Sequence, residues 1–427
     1  MRVLLMGYGS RGDVEPMAGL GLALRELGAE VRVCAPPDQE FADLLARAGV
    51  AHVPFGPSVR SVVTRPNPQP SDAFRLAAEL VAAHFDAVAA AAEGCDVVVA
   101  SGLMPAGVRS VTEKLGIRYV FACPHPFGMP SPHFPPAGRP GRPAPPDADL
   151  RTLWKVDAER VDALYGEALN THRAAIGLPP VDDVRAHVLT GRPWLAADPV
   201  LGPWQDLTDY DLVQTGAWLL PDERPLPDEL AAFLAAGEPP VYVGFGSMAM
   251  RGAPDAARTA VEAVRAQGRR VLVGRGWADL APVDGRADCL AIGEVNHQAL
   301  FRQVAAVVHH GGAGTTTTAA LAGVPQVIVP QIVDQPHWAA RVAELGIGAA
   351  HDGPTPTTDS LSAALTTALA PGTRARATAV AADIRTDGAT VAARLLLDGA
   401  DGTDGTNGAD RANGADGADG ETPPVSA

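Results

Sequence analysis

The chain has little cysteine, modest charge and no long apolar run. Its four cysteines in 427 residues, Cys34, Cys95, Cys123 and Cys289, stand far apart without CxxC or CxxH spacing. That pattern argues against a disulfide framework or a zinc site and fits reduced thiols. Charged residues make up 19% and the net charge is −15. With no basic excess, a nucleic-acid-binding surface is not expected. The first apolar run, Val3–Met6, is too short for a signal peptide, and no run approaches a membrane span. A cytoplasmic protein without membrane contact, acting as a monomer, is the expectation.

What is present is ample core material: 47% of the residues are hydrophobic, and the length suits two or three domains. The last stretch, Asp398–Ala427, carries seven acids against one base and repeats Gly-Ala-Asp and Gly-Thr-Asp. It has too little apolar surface to offset ordering and is expected to be a disordered acidic tail. The rest reads twice as alternating strands and helices, the pattern of parallel sheets covered on both faces. In the first half the strands are Arg2–Met6, Glu30–Cys34, Ala51–Pro54, Asp96–Ala100 and Tyr119–Ala122. The helices between them are Val14–Leu27, Gln39–Ala48 and Ser71–Ala92. Met17, Leu20, Leu24 and Leu27 recur at helical spacing. The segment 219–227 (LLPDERPLP) reads as a linker between a domain of residues 1–218 and one of residues 228–397. After it the strands Pro240–Gly244, Arg270–Val273 and Cys289–Ile292 and the helices Pro254–Gln267 and Gln298–Val304 restart the pattern. Helices near Trp338–Leu345, Thr358–Leu369 and Gly372–Leu397 end it.

The most specific stretch is 309–335, HHGGAGTTTTAALAGVPQVIVPQIVDQ. A strand runs into a glycine turn that opens a small-residue helix, and a second strand leads to an Asp-Gln pair. Glycines allow close backbone approach, and helix-start amides with the helix dipole attract an anion such as a pyrophosphate. His310 adds a donor and Thr315 a hydroxyl, while Gly311, Gly312, Ala313 and Gly314 form the turn. Asp334 and Gln335 follow 24 and 25 residues after His310, placed to grip a polyhydroxylated group on that diphosphate. This is the plan of a nucleotide-sugar site.

The first strand ends in Gly7-Tyr8-Gly9-Ser10-Arg11-Gly12, a formal GxGxxG dinucleotide fingerprint. Asp13 spoils that reading, because a carboxylate in the first helical turn repels a pyrophosphate. Two uses remain open for it: a general base facing the cleft, or a residue that only caps the helix. The loop 124–146 holds ten prolines and lies after a strand's carboxyl end, where open α/β sheets bind ligands. Its Phe127, Met129, His133 and Phe134 would offer an apolar surface to a bulky acceptor; the alternative is a stiff loop with no partner.

Together the GSRGDVEP loop, the CAPPD segment, the QTGAWLLPDERPLP linker and HHGGAGT with DQP resemble the actinobacterial glycosyltransferases of vancomycin- and teicoplanin-type antibiotics. These belong to the inverting UDP/TDP-sugar enzymes of GT-B fold. The resemblance implies two Rossmann-like domains around a cleft, the acceptor bound by the first and the donor by the second. It implies Asp13 as the base, with Ser10, Arg11 and Gly12 lining the cleft. Ser247 would reach a diphosphate oxygen, Trp277 would flank the nucleobase, and the backbone at Glu294 and Val295 would read its edge. His310, Gly312, Gly314 and Thr315 would hold the diphosphate, and Asp334 and Gln335 the sugar. Plant members carry a Glu eight residues after the motif His; here that position is Thr318, which favours a deoxyribose donor, TDP over UDP, unless Thr316 or Thr317 compensates. Asp147-Ala148-Asp149 and Asp209-Tyr210-Asp211 match the Asp-x-Asp of metal-dependent transferases only formally, so neither metal nor cofactor is expected. A GT-B-shaped sugar-nucleotide epimerase, a transferase acting on a macrolide or aromatic polyketide, and a non-catalytic helper protein are the competing readings.

Overall fold

The computed structural model describes residues 1–65, 67, 69–136, 148–204, 210–248, 255–280 and 284–399. The expected acidic tail lies, from residue 400 onward, outside the described residues. Two parallel sheets organise the chain. The first runs β3-β2-β1-β4-β5-β6-β7 and the second β10-β9-β8-β11-β12-β13. In chain order the first holds β1 (Arg2–Tyr8), β2 (Glu30–Ala35), β3 (Ala51–Pro54), β4 (Val97–Gly102), β5 (Arg118–Cys123), β6 (Trp194–Leu195) and β7 (Val213–Gln214). The second holds β8 (Val241–Gly244), β9 (Val271–Gly274), β10 (Cys289–Ile292), β11 (Ala306–His309), β12 (Gln326–Ile328) and β13 (Gly348–Ala350).

The central strands are apolar throughout because helices cover both faces: Leu4, Leu5, Met6, Val97, Val98 and Val99 are fully buried. Leu5 pairs with Val33 on one side and Val99 on the other. In each sheet the strand order reverses at one point, between β1 and β4 and between β8 and β11. The carboxyl ends there are where doubly wound sheets hold ligands.

Helix α1 spans Arg11–Glu26, starting three residues before the expected Val14. A single glycine step at Gly9 (φ +152°) completes the turn, so nothing delays the helix. Helix α2 spans Gln39–Arg47. The expected helix Ser71–Ala92 is one rod with a π-turn at His84–Val88 in it. Sequence reading assigned nothing to residues 150–175, where the structure has a 26-residue helix burying Trp154, Val161, Tyr165 and Leu169.

The domain boundary needs one correction. The last stretch expected as helix breaks into Pro371–Ala381 and Gly388–Leu397. The final helix crosses back to the first domain: its Ala389, Ala392, Ala393 and Leu396 join the core formed by β1, β2, β4 and α1. Small residues drive this, since Gly388 lies against the backbone of Gly216 and Ala217 too closely for any side chain. The linker is likewise pressed on α1, where a Cβ at Gly19 would sit 2.8 Å from the Leu219 carbonyl oxygen.

Candidate active site between the two sheets

Asp13 lies in the first turn of α1, at the carboxyl end of β1. Its side chain folds back over Gly9, and a Cβ there would overlap the carboxylate. Burial in dense protein raises its pKa to about 7, against the Ser10 backbone and hydroxyl donors and the His125 charge, while Asp334 adds to the rise. The carboxyl therefore sits where a proton is readily taken and released near neutral pH.

His125 is the residue that sequence reading missed. It follows β5, two positions after Cys123, whose sulfur lies 3.8 Å from its Nδ1. Burial opposes a charge on the ring, but Cys123, Asp334 and Asp13 outweigh it and raise its pKa. The available signal was position: a histidine just past the carboxyl end of a strand in the sheet that carries Asp13.

In the second domain β11 ends at His309, and the following helix, Ala313–Leu321, starts at Gly312 as N-cap. The two adjacent histidines differ in kind. His309 is fully buried, accepts the Gly311 N–H at Nδ1 and meets Gln326 Oε1 at 2.9 Å through Nε2. It braces the turn. His310 is wedged between Gly246 and Gly312, where a Cβ on Gly312 would lie 2.7 Å from its Nε2. Its Nδ1 is buried and has no partner among the described residues. Burial lowers its pKa to about 4 although Asp334 pulls it upward, so the ring is neutral at pH 7 and acts as a hydrogen-bonding group. Ser247, after β8, stands part-exposed beside this turn.

Thr316 and Thr317 are buried, and their hydroxyls donate to the Gly312 and Ala313 carbonyls. Their burial turns both away from any ligand on the outer face of this helix. Thr315 and Thr318 remain part-exposed on the same helix.

Asp334 stands at the N-cap position of the helix Gln335–Glu344, and its carboxylate accepts the Trp338 indole N–H at 2.7 Å. The preceding Val333 has φ +56°, a strained value for a β-branched side chain. Gln335 is more committed than expected: its amide oxygen accepts the Gln331 and Ile332 N–H groups, and the residue is 6% exposed. It shapes the loop, with only its nitrogen, 3.4 Å from the Met248 sulfur, turned toward Ser247's turn.

The residues expected to flank the nucleobase meet the first domain. The Trp277 N–H donates to the Gly246 carbonyl, and its indole nitrogen lies 3.4 Å from Glu40 of α2. The Glu294 side chain pairs with Arg11, Arg47 and Arg224, and Val295 is buried. Arg11 is thus occupied by Glu15 and Glu294 instead of lining the cleft freely; Gly12 is exposed next to it.

The acceptor loop also departs from expectation. Met129 is fully buried beneath it, and Phe127 packs on Phe134, His337 and Trp338. Phe127 and Phe134 anchor the loop to the second domain because they find aromatic partners there. Phe134 is part-exposed and His133 exposed, so the surface offered to a partner is smaller than four residues. Residues 137–146 of the loop lie outside the described residues. Of the two Asp-x-Asp matches, Asp149 caps the helix Leu150–Ala175 and Asp211 pairs with Arg192; Asp147 and Asp209 lie outside the described residues. Among the described residues no group of three or more His, Cys, Asp or Glu is gathered for a metal. No helix among them is long and apolar enough to cross a membrane.

Residues 3–126 match the glycosyltransferase family 28 N-terminal domain, and residues 287–393 match the erythromycin biosynthesis protein CIII-like C-terminal domain. A vancomycin aglycone glucosyltransferase of Amycolatopsis orientalis is 60% identical over 403 residues, covering 93% of this chain and 97% of that protein. The chain belongs to the vancomycin-type glycopeptide glycosyltransferases. A dTDP-epi-vancosaminyltransferase of the same organism is 53% identical over 386 residues, covering 89% of this glycosyltransferase and 93% of that protein. Among solved structures, the glycosyltransferase of kitacinnamycin superposes with a TM-score of 0.71 at 22% identity, covering 93% and 98% of the two chains. VinC in complex with dTDP gives 0.64 at 21% identity, covering 94% and 100%. The architecture of this glycosyltransferase is GT-B, two Rossmann-like domains. It is a nucleotide-sugar-dependent enzyme.

Proposed function

We propose that this enzyme moves a sugar from TDP to a hydroxyl of a glycopeptide aglycone or pseudoaglycone, with inversion at the anomeric carbon. The observation that carries the reading is the position of Asp334. The adjoining Gln335 carbonyl lies against Gly311 of the His310 turn. His337 and Trp338 of the same helix pack on Phe127, two residues past His125 of the first domain. In keeping with this, Asp334 pulls the pKa of both Asp13 and His310 upward. A sugar held at Asp334 therefore lies between a proton acceptor and an anion site. Asp13 takes the proton of the attacking hydroxyl, and that oxygen displaces the diphosphate in line. The amides of Ala313, Gly314 and Thr315 with His310 stabilise the departing charge. TDP is favoured over UDP because a threonine, Thr318, stands where a carboxylate would grip a 2′-hydroxyl, and Thr316 and Thr317 are buried in the helix. The helix start and His310 supply what a cation would, so we propose metal-free transfer by a monomer.

Donor turnover measured with and without a vancomycin-type aglycone tests this. TDP release is expected only with the aglycone present, unchanged by EDTA, and the product's anomeric coupling should show inversion. Equal donor consumption without acceptor would favour an epimerase or hydrolase, and a loss in EDTA restored by magnesium would contradict the metal-free site.

A further inference from the structure

Three arginines distant in sequence converge on one carboxylate at the edge of the cleft. Glu294 lies 3.1 Å from Arg11, 3.2 Å from Arg47 and 3.1 Å from Arg224. Two of these cations belong to the first domain: Arg11 to the first turn of α1, two residues before Asp13, and Arg47 to the end of α2. Arg224 belongs to the linker, where Asp222 holds it in a two-pronged pair. Asn296 donates to the Asp222 and Arg224 carbonyls, and Gln298 to the Leu220 carbonyl. Residues 294–298 and the linker are therefore one braced unit, and the Glu294 side chain reaches out of it to the base-bearing turn. Arg11 is held in place from its other side by Glu15. Glu40 of α2, within reach of Trp277, spans the same gap a second time.

An exposed ion pair alone does little, since solvent screens it and ordering two long side chains costs entropy. Glu294 keeps 42% of its side chain exposed, yet it gathers three cations, two of which are held by further contacts, Arg11 by Glu15 and Arg224 by Asp222. Such a network orients groups more than it stabilises the fold. We propose that Glu294 is a positioning residue for glycosyl transfer. Through Arg11 it fixes the first turn of α1, and with it the Asp13 carboxylate, relative to the donor-binding segment of the second domain. The inference rests on the reading of Asp13 as the base.

The test uses the full-length enzyme and the variants Glu294→Gln, Arg11→Met and Asp13→Asn, singly and in pairs. Glu294→Gln is expected to lower kcat about twofold to fivefold, the scale of a partly exposed charge network. TDP affinity and melting temperature should stay near wild type. Adding Arg11→Met should cost little more, because both changes cut the same connection. In the Asp13→Asn background, Glu294→Gln should have no further effect on kcat, as groups acting as a unit are not additive. A wild-type kcat for Glu294→Gln would overturn the proposal, as would weaker TDP binding at unchanged kcat. An equal loss with and without Asp13 would overturn it too, because Glu294 would then act elsewhere. A fully active Asp13→Asn enzyme would remove the base assignment itself. An Asp13-dependent enzyme indifferent to Glu294 would remove only this proposal.

Discussion

Two turns in this molecule leave the carboxyl end of a central strand and open a helix, and they do opposite things. After β1 the N-cap is Ser10, and the third helical residue is Asp13. After β11 the N-cap is Gly312, and the third helical residue is Thr315. Both turns open a helix whose first-turn amides and dipole favour negative charge. In the first, the chain's own carboxylate fills that place, folded over Gly9, and burial holds it near a pKa of 7. In the second, small side chains leave the amides open, and an unpartnered imidazole nitrogen stands beside them. On the proposed function, one backbone motif gives a proton acceptor in one domain and a receptor for a leaving anion in the other. The third position of the helix decides which.

Exchanging that position breaks the comparison most severely. Thr315→Asp installs in the second turn the carboxylate of the first. A unit charge about 4 Å from a diphosphate oxygen opposes binding by up to roughly 4 kcal/mol, so TDP affinity measured by calorimetry should fall about 10²–10³-fold. Affinity within threefold of wild type would show that the diphosphate binds elsewhere. His310→Ala is milder. Losing one hydrogen bond to a charged group costs about 1.5–3 kcal/mol, so TDP should bind roughly 10–100-fold more weakly with no acceptor present. An effect on kcat alone would place His310 with the acceptor instead.

The smallest effect is graded by pH. The Asp13 pKa is raised to about 7, and only the ionised form accepts a proton. Turnover should rise through pH 7, falling about tenfold per unit below it. Stability runs the other way. A carboxyl whose pKa is raised on folding favours the folded state fully below its unfolded value near 4 and loses that contribution as pH rises through 7. Asp13→Asn should therefore gain in melting temperature over wild type between pH 5 and pH 8. A constant difference across that range would mean that Asp13 is not perturbed.

The alternation of apolar strands and periodic helices made both sheets readable, and glycine chemistry marked the His310 turn. Asp13 was legible because a carboxylate is out of place in a dinucleotide fingerprint. What stayed hidden depends on contacts between distant segments. The helix Gly388–Leu397 shows no sign in its own residues that its alanine face belongs to the first domain. Phe127 and Met129 have the composition of an exposed apolar loop; the aromatic face of His337 and Trp338 buries Phe127, and Met129 joins the apolar cluster that holds Trp338. His125 gains its charge from Cys123, Asp334 and Asp13, of which only Cys123 is near it in sequence. For Gln335 and Arg11 the partners that limit what they can reach come from distant segments or from the local fold and leave no mark in the sequence.

The division of labour between the two turns is tested most directly by Asp13→Asn, assayed for turnover with aglycone and for TDP affinity without it. Asparagine keeps the shape and caps a helix as well as aspartate, so only proton-accepting power is removed. The account predicts a fall in kcat of about 10²–10⁴-fold with TDP affinity near wild type. A variant that turns over at the wild-type rate would contradict it.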